Sequence, residues 1–208
     1  LSGDPSRDLY FGRGVAIEGD LAAVVAASGG QVSLFRKGGQ GWVLDERLEL
    51  HGEPAASFFY GVVEISDGRV LVGGRYAPEG PRAHVVSDES GSWSIRTIAP
   101  DAPDASFGES VAIRGETVAI GAPETDDGID GAGAVHLFTL DQGEWTASSQ
   151  VSWDGEDSER PLLGLAVGFL ADGTLVVGAP GSDRAAADAG EAWLVDVDSD
   201  PVFLDRLS

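Results

Sequence analysis

"SFGESVAIRGETVAIGAP", Ser106 to Pro123, holds two apolar runs around a polar tight turn. Phe107-Gly108 stands near one end and Gly121-Ala122-Pro123 at the other. Val118 and Ile120 recur at a period of two, which predicts extended chain rather than helix. Ninety-six residues before Phe107 stands "FGRGVAIEGDLAAVVAA", Phe11 to Ala27, which aligns with it without a gap. Midway lies "FYGVVEISDGRVLVGGR", Phe59 to Arg75, and a fourth copy is "LGLAVGFLADGTLVVGAP", Leu163 to Pro180. The turn pairs Asp67-Gly68 and Asp172-Gly173 are strong hairpin signals, and Glu18-Gly19 and Arg114-Gly115 stand in the same place.

A second block follows each hairpin: "GGQVSLF" from Gly29, "GPRAHVV" from Gly80, "AGAVHLF" from Ala132 and "AGEAWLV" from Ala189. Seven residues after each block comes Trp42, Trp93, Trp145 or Val202, opening another apolar-rich run. The unit is therefore about 50 residues with four short strands, the signature of a propeller blade. A lone antiparallel sheet leaves both faces wet. Sheets stacked side by side bury both and leave only short edges. On this reading glycine beside the Phe lets backbones approach closely, and the Trp wedges between adjacent sheets. The proline of Gly-Ala-Pro ends its strand because it has no donor for the next ladder bond.

The expected fold is all-β: a single β-propeller domain over residues 1–208. Its four antiparallel four-stranded blades fall near 11–58, 59–106, 107–162 and 163–208. "VFLDRLS" from Val202 matches the opening of "WVLDERL" from Trp42, and "LSGDPSRDLYFG" at the start matches "LHGEPAASFFYG" from Leu50. The cut thus falls at a blade boundary. Both a closed four-blade ring and a slice of a larger ring fit. A chain that starts at Leu1 rather than Met reads as a processed or excised piece.

Composition narrows the function. Formal charge is −22, with 35 acidic against 13 basic side chains. Such a chain repels phosphate, which excludes nucleic-acid binding and disfavours anionic membranes. No run approaches the ~18 apolar residues of a membrane span. With neither Cys nor Met in the chain, thiol catalysis, disulfides and zinc fingers are absent.

These spaced landmarks resemble the FG-GAP repeat, the blade motif of integrin α-subunit propellers and of many bacterial surface proteins. The resemblance implies a propeller that binds or scaffolds other molecules, set outside the cell, in the periplasm or on the cell surface. It also implies calcium, held in an acidic loop between the FG and GAP elements. Here those connections are "IEGDL", "ISDGRV", "IRGET" and "LADGTL", with too few carboxylates for a cation that needs six to eight oxygens. The calcium site is therefore not carried over. A different loop, "ETDDGID" from Glu124, gathers Asp126, Asp127 and Asp130 around Gly128 and is the one candidate for weak calcium binding. Asp183 and Asp188 form a poorer version in the fourth copy.

No nucleophile elbow or phosphate loop occurs. Of the three histidines, His84 and His136 share one slot of the repeat, filled elsewhere by Ser33 and Trp193. A repeated slot points to a place on the blade face, not to a catalytic pair. His51 stands outside any motif. Tyr10-Phe11 and Phe58-Phe59-Tyr60 fit core packing first and a rim platform second. The expectation is a non-enzymatic binding module that takes a protein or glycan ligand on its rim loops, as a monomer or as an assembly of partial rings. The alternatives are a calcium-binding adhesin-like module and a glycosidase-like hydrolase with a carboxylate pair at the central funnel.

Overall fold

The structure, a computed structural model, describes residues 10–26, 30–50, 61–74, 80–101, 104, 106–155, 160–183, 185–186, 189–198 and 201–207. Ala27, His51, Phe58, Phe59, Tyr60, Arg75 and Asp188 lie outside the described residues. All regular structure among the described residues is strand. The chain divides into two compact units, Leu1–Ala99 and Pro100–Ser208.

The first unit holds two meanders. One is β1 (Phe11–Glu18), β2 (Leu21–Ala26), β3 (Gln31–Gly38) and β4 (Gly41–Glu49). The other is β5 (Val63–Ser66), β6 (Arg69–Gly74), β7 (Arg82–Asp88) and β8 (Trp93–Ile98). The second unit repeats the plan with β9 (Ser110–Arg114), β10 (Thr117–Ala122), β11 (Ala134–Asp141) and β12 (Glu144–Ser152). It closes with β13 (Ala166–Phe169), β14 (Leu175–Ala179), β15 (Glu191–Asp196) and β16 (Val202–Leu207). All four sheets are antiparallel, with strands hydrogen-bonded in chain order.

The second strand of each blade lies deepest. "LAAVVA" is buried throughout, and "TVAIGA" is buried after its first residue. A strand covered on both faces needs no polar alternation, which is why these runs are continuously apolar. The fourth strand is the most exposed, and "GWVLDERLE" and "EWTASSQVS" carry their charges and hydroxyls accordingly.

Adjacent blades meet through repeated slots. In the first unit Leu21, Ala23, Val25, Val32 and Leu34 of the first blade bury against Val70, Val72 and Val86 of the second, with Val63 and Ile65 alongside. In the second unit Ala112, Ala119, Val135 and Leu137 pack on Leu175, Val177, Trp193 and Val195, with Val167 and Phe169 alongside. Full burial of each such Val or Leu side chain is worth about 1.5–3 kcal/mol.

The marked hairpin ends have a direct explanation. The Phe-Gly glycine has positive φ in every copy: +88° at Gly12, +73° at Gly61, +89° at Gly108 and +88° at Gly164. Any other residue would be strained there. Its amide closes the hairpin end by donating to the Gly-Ala-Pro glycine, 3.1 Å from Gly108 N to Gly121 O and 2.9 Å from Gly164 N to Gly178 O. In the second and fourth blades its carbonyl enters a notch in the preceding blade of the same unit. The Gly164 carbonyl accepts from Ser110 Oγ at 2.7 Å, and a Cβ on Gly121 would stand 2.1 Å from that oxygen. In the first unit a Cβ on Gly14 would stand 1.7 Å from the Gly61 carbonyl oxygen. Gly14 pairs with Val25, and Ser110 with Gly121. One glycine per cross-strand pair is enough to open the notch. Pro123 and Pro180 follow the last residues of β10 and β14, where no ladder donor is required.

The hairpin turns lock successive blades as well. Asp67 and Gly68, with φ of +51° and +71°, form a primed two-residue turn. Their amides donate to the Glu18 carboxylate of the blade before, at 3.1 and 2.9 Å. Arg114 holds the slot of Glu18 in the third blade and donates instead to the Ala171 carbonyl at 3.3 Å. In the first and third blades the two-residue loops are Gly19-Asp20 and Gly115-Glu116, one residue later than the pairs read from sequence, as the pairings Glu18–Leu21 and Arg114–Thr117 require.

Trp93 wedges between two sheets as expected, its indole N–H donating to Asp45 Oδ2 at 3.0 Å with Arg36 over the ring. Val202 departs from the repeat. Trp42, Trp93 and Trp145 pair with Lys37, Asp88 and Leu140, whereas Val202 pairs with Asp196, one residue nearer the third strand's core. Five residues separate that pair, against four in the other copies, and a one-residue slip in register turns a side chain to the other face.

Candidate functional site

A cleft of about 760 Å³ opens on the third blade. Asp101 and Asp104 line it from the segment before β9, Glu124, Thr125 and Asp126 from the loop after β10, and His136 from β11. Ser148, Ser149 and Gln150 of β12 complete the far wall. The hairpin explains why residues so far apart in sequence meet. Joining Gly108 to Gly121 brings the segment before Phe-Gly beside the segment after Gly-Ala-Pro, and Asp104 therefore faces Thr125.

Asp104 is the organising group, its side chain 8% exposed. Ser106 donates to its Oδ1 twice, from the amide at 3.1 Å and from Oγ at 3.2 Å. Thr125 Oγ1 donates to its Oδ2. His136 Nε2 stands 3.5 Å from the same oxygen, long for a hydrogen bond, so the attraction there is mainly electrostatic. Ser106 Oγ also accepts from the Glu124 amide at 2.8 Å, which ties the loop to the hairpin. Burial opposes ionisation of Asp104, but the His136 ring, the Thr125 hydroxyl and the Ser106 donors outweigh it and hold the carboxyl below its ordinary 3.8. Beneath the site Phe107 meets His136 and Phe138 edge to face, at centroid distances of 5.3 and 6.1 Å.

A folded-state value below the unfolded one means that the carboxylate's stabilisation is complete above 3.8 and is lost as pH falls through the folded value. We expect Asp104→Asn to cost about 1–3 kcal/mol near neutral pH. The gap to the parent chain should narrow below about pH 4 as the parent carboxyl protonates. Urea midpoints measured across pH check this. A gap constant across that range would assign the effect to packing rather than charge.

The acidic loop lies at the cleft's mouth. Asp126 Oδ1 accepts the Gly131 amide at 2.8 Å and lines the cleft. Asp127 is exposed, and Asp130 lies 3.8 Å from Arg160 Nε. Asp126 is spent on its own loop and Asp130 faces a guanidinium, so the three carboxylates do not converge. Among the described residues no group of three His, Cys, Asp or Glu side chains is placed to hold a metal. The residues do not fit a calcium ion.

The two histidines of the shared slot serve different ends. His84 is buried between the first two blades with Nδ1 3.1 Å from Thr97 Oγ1, while His136 reaches the cleft. Phe11 packs edge to face on Phe35 at 6.4 Å, and Tyr10 is exposed. Reading the sequence passed over Asp104, Ser106 and Thr125. The available signal was an Asp-x-Ser just before Phe-Gly and a Thr just after Gly-Ala-Pro, two ends that the hairpin register brings together.

With this geometry in place, the comparisons with known proteins give the family of the blade. The FG-GAP repeat pattern matches residues 98–138, from the Asp104 segment through the cleft histidine to Phe138. Residues 98–138 are an FG-GAP repeat. No curated protein sequence matches the chain. Among solved structures, apo AztD from Citrobacter koseri aligns with 94% of this chain and 46% of its own, at 15% identity and a TM-score of 0.54. Sqt1 from Saccharomyces cerevisiae aligns over 97% and 63% of the two chains, at 9% identity and a TM-score of 0.51. The WD40 domain of SCAP from fission yeast aligns over 99% and 50%, at 12% identity and a TM-score of 0.51. At such identities the likeness establishes the β-propeller fold alone. The chain spans between about half and two thirds of the length of these solved structures.

Proposed function

We propose that this FG-GAP propeller module is a binding domain whose third-blade cleft takes a cationic side chain of a protein ligand, in an extracytoplasmic or cell-surface setting. The observation that carries the reading is the cleft's lining: four carboxylates, from Asp101, Asp104, Glu124 and Asp126, beside hydroxyls and an amide, with no Lys or Arg. A net charge of −22 extends that field beyond the cleft and favours encounter with basic segments. The lining supports a protein ligand over a glycan, because its one aromatic residue, Phe138, is buried and offers no sugar platform. It supports binding over hydrolysis, because Asp104 accepts hydrogen bonds and is held ionised, which makes it a poor proton donor.

The test is titration calorimetry of the 208-residue chain with short peptides bearing one Lys or Arg, their acetylated or citrulline counterparts, and neutral oligosaccharides. We expect the cationic peptides alone to bind, and the affinity to fall about tenfold with Asp126→Asn or Glu124→Gln. Binding that prefers oligosaccharide, or that ignores both substitutions, defeats the reading.

A further inference from the structure

The last strand of each sheet has a hydrogen-bonded neighbour on one side only, among the described residues. Such an edge offers its amides and carbonyls to any extended chain, and proteins guard it with charge, proline or shortness. β4 carries Asp45, Glu46, Arg47 and Glu49. β8 and β16 are six residues long, the first with Arg96 and the second with Asp205 and Arg206. β12 is nine residues long, and after Glu144 it carries neither charge nor proline. Its Thr146, Ala147, Ser148 and Gln150 are exposed. Blades within each unit pack through their faces, and that packing does not compete for this edge. The ladder shows which backbone groups the edge offers. The Leu140 amide donates to the Glu116 carbonyl at 2.9 Å, on the β10 side of β11. Leu140 stands opposite Trp145, and Phe138, two residues earlier, stands opposite Ala147. Opposed residues of an antiparallel ladder exchange both bonds or neither, in alternation. Trp145 and Ala147 therefore turn their amides and carbonyls away from β11, to the free side.

A bulge brings this edge to the cleft. Leu137 stands opposite Ser149 and Phe138 opposite Ala147, which leaves Ser148 as an extra residue. A regular strand would turn alternate residues away, whereas here Ala147, Ser148, Ser149 and Gln150 all line the cleft. Three of the four side chains are small, so a chain lying along the edge can pass a long side chain over them. Edge and cleft both belong to the second unit.

We propose that the cleft's ligand is an extended peptide segment that pairs with β12 as a fifth strand and lowers a Lys or Arg side chain beside Glu124 and Asp126. This mode of binding rests on the cleft being a cation site. Charge selects the occupant: the lining holds four carboxylates and no Lys or Arg. Asp104 already accepts from Ser106 and Thr125, so it supplies field more than a direct bond to the cation. Main-chain bonds to the edge supply affinity without regard to sequence, and the cleft reads one side chain, the division of labour of strand addition.

The probe is the capped peptide Thr-Val-Arg-Val-Thr, titrated calorimetrically into the 208-residue chain beside versions N-methylated at one amide each. Strand pairing uses every second amide of the added chain. Methyl groups on one alternating set should therefore weaken binding about tenfold, and on the other set should leave it nearly unchanged. Ala147→Pro removes an edge amide that makes no bond to β11 and should weaken the parent peptide to a similar degree, with unchanged circular dichroism. The methylated peptides use the unaltered chain, so their outcome does not depend on how that variant folds. Methylation tolerated at every position, with the loss on Glu124→Gln retained, overturns the fifth strand and leaves the cation site standing. A peptide that does not bind, or whose binding ignores Glu124→Gln, overturns the cation site and the strand pairing with it. Alternation that a folded Ala147→Pro leaves untouched puts the peptide on another edge and also overturns the proposal.

Discussion

Gly121→Ala should destabilise the second unit by about 3 kcal/mol or more, at the top of the overpacking range, while Gly178→Ala should leave it nearly unchanged. Both glycines stand in the same slot of the repeated blade and have ordinary strand conformations. The difference lies in what each faces. A Cβ on Gly121 would sit 2.1 Å from the Gly164 carbonyl oxygen and 2.1 Å from Ser110 Oγ. The hydroxyl can rotate away, but it would give up its 2.7 Å bond to that carbonyl, and the carbonyl belongs to a backbone held by the Gly164–Gly178 hydrogen bond. The two blades must therefore part. A Cβ on Gly178 meets nothing closer than 3.5 Å, and the lost glycine freedom of the unfolded chain stabilises by about 0.4–1 kcal/mol. Urea denaturation at low protein concentration compares the two. Equal costs would show that the slot selects glycine for its own backbone rather than for the neighbour's approach.

This pair also shows how far the sequence could be read. The glycine-and-aromatic landmarks recur in fixed register, and that register follows from local chemistry: tight turns, apolar second strands, and a proline that ends the second strand in the third and fourth copies. Those signals are carried by neighbouring residues, so four blades were legible. The notch was not. It is shared between blades, opened by Gly14 in one copy and by Gly121 in another, and a position-by-position alignment sees only a degenerate motif. The cleft was hidden for a related reason. Asp104, Thr125 and His136 each look like an ordinary loop or strand residue, and only hairpin closure brings them around one carboxylate. The acidic loop invited attention through its density of charge, yet its carboxylates turn to Gly131 and Arg160. Charge density in a sequence does not say which way side chains face.

Trp193→Ala should be the costliest single truncation in the fourth blade, about 4 kcal/mol by the range for large core aromatics. Trp193 occupies the slot that holds Ser33, His84 and His136 in the other copies, and it is buried against the third blade. Its ring stacks on Trp153 at 5.3 Å and 20°, with Phe203 edge-on at 5.4 Å. Arg206 lies over it at 5.3 Å and reaches Asp154 at 3.0 Å, so the ring also sets the position of an ion pair. Its indole N–H donates to the buried Glu191 carboxylate at 2.8 Å. Truncation removes the stack, one of the two aromatic faces beneath Arg206 and one donor to Glu191 together. Trp193→Phe separates these contributions. It keeps an aromatic plane for Trp153 and Arg206 but loses the N–H, so it should cost about 1–3 kcal/mol, the range for depriving a buried acceptor. The stacked indoles should give an exciton couplet in the far-ultraviolet circular dichroism that both variants abolish. If Trp193→Phe proves as damaging as Trp193→Ala, the hydrogen bond to Glu191 dominates the slot. If Trp193→Ala is nearly neutral, this blade contact does not hold the second unit together.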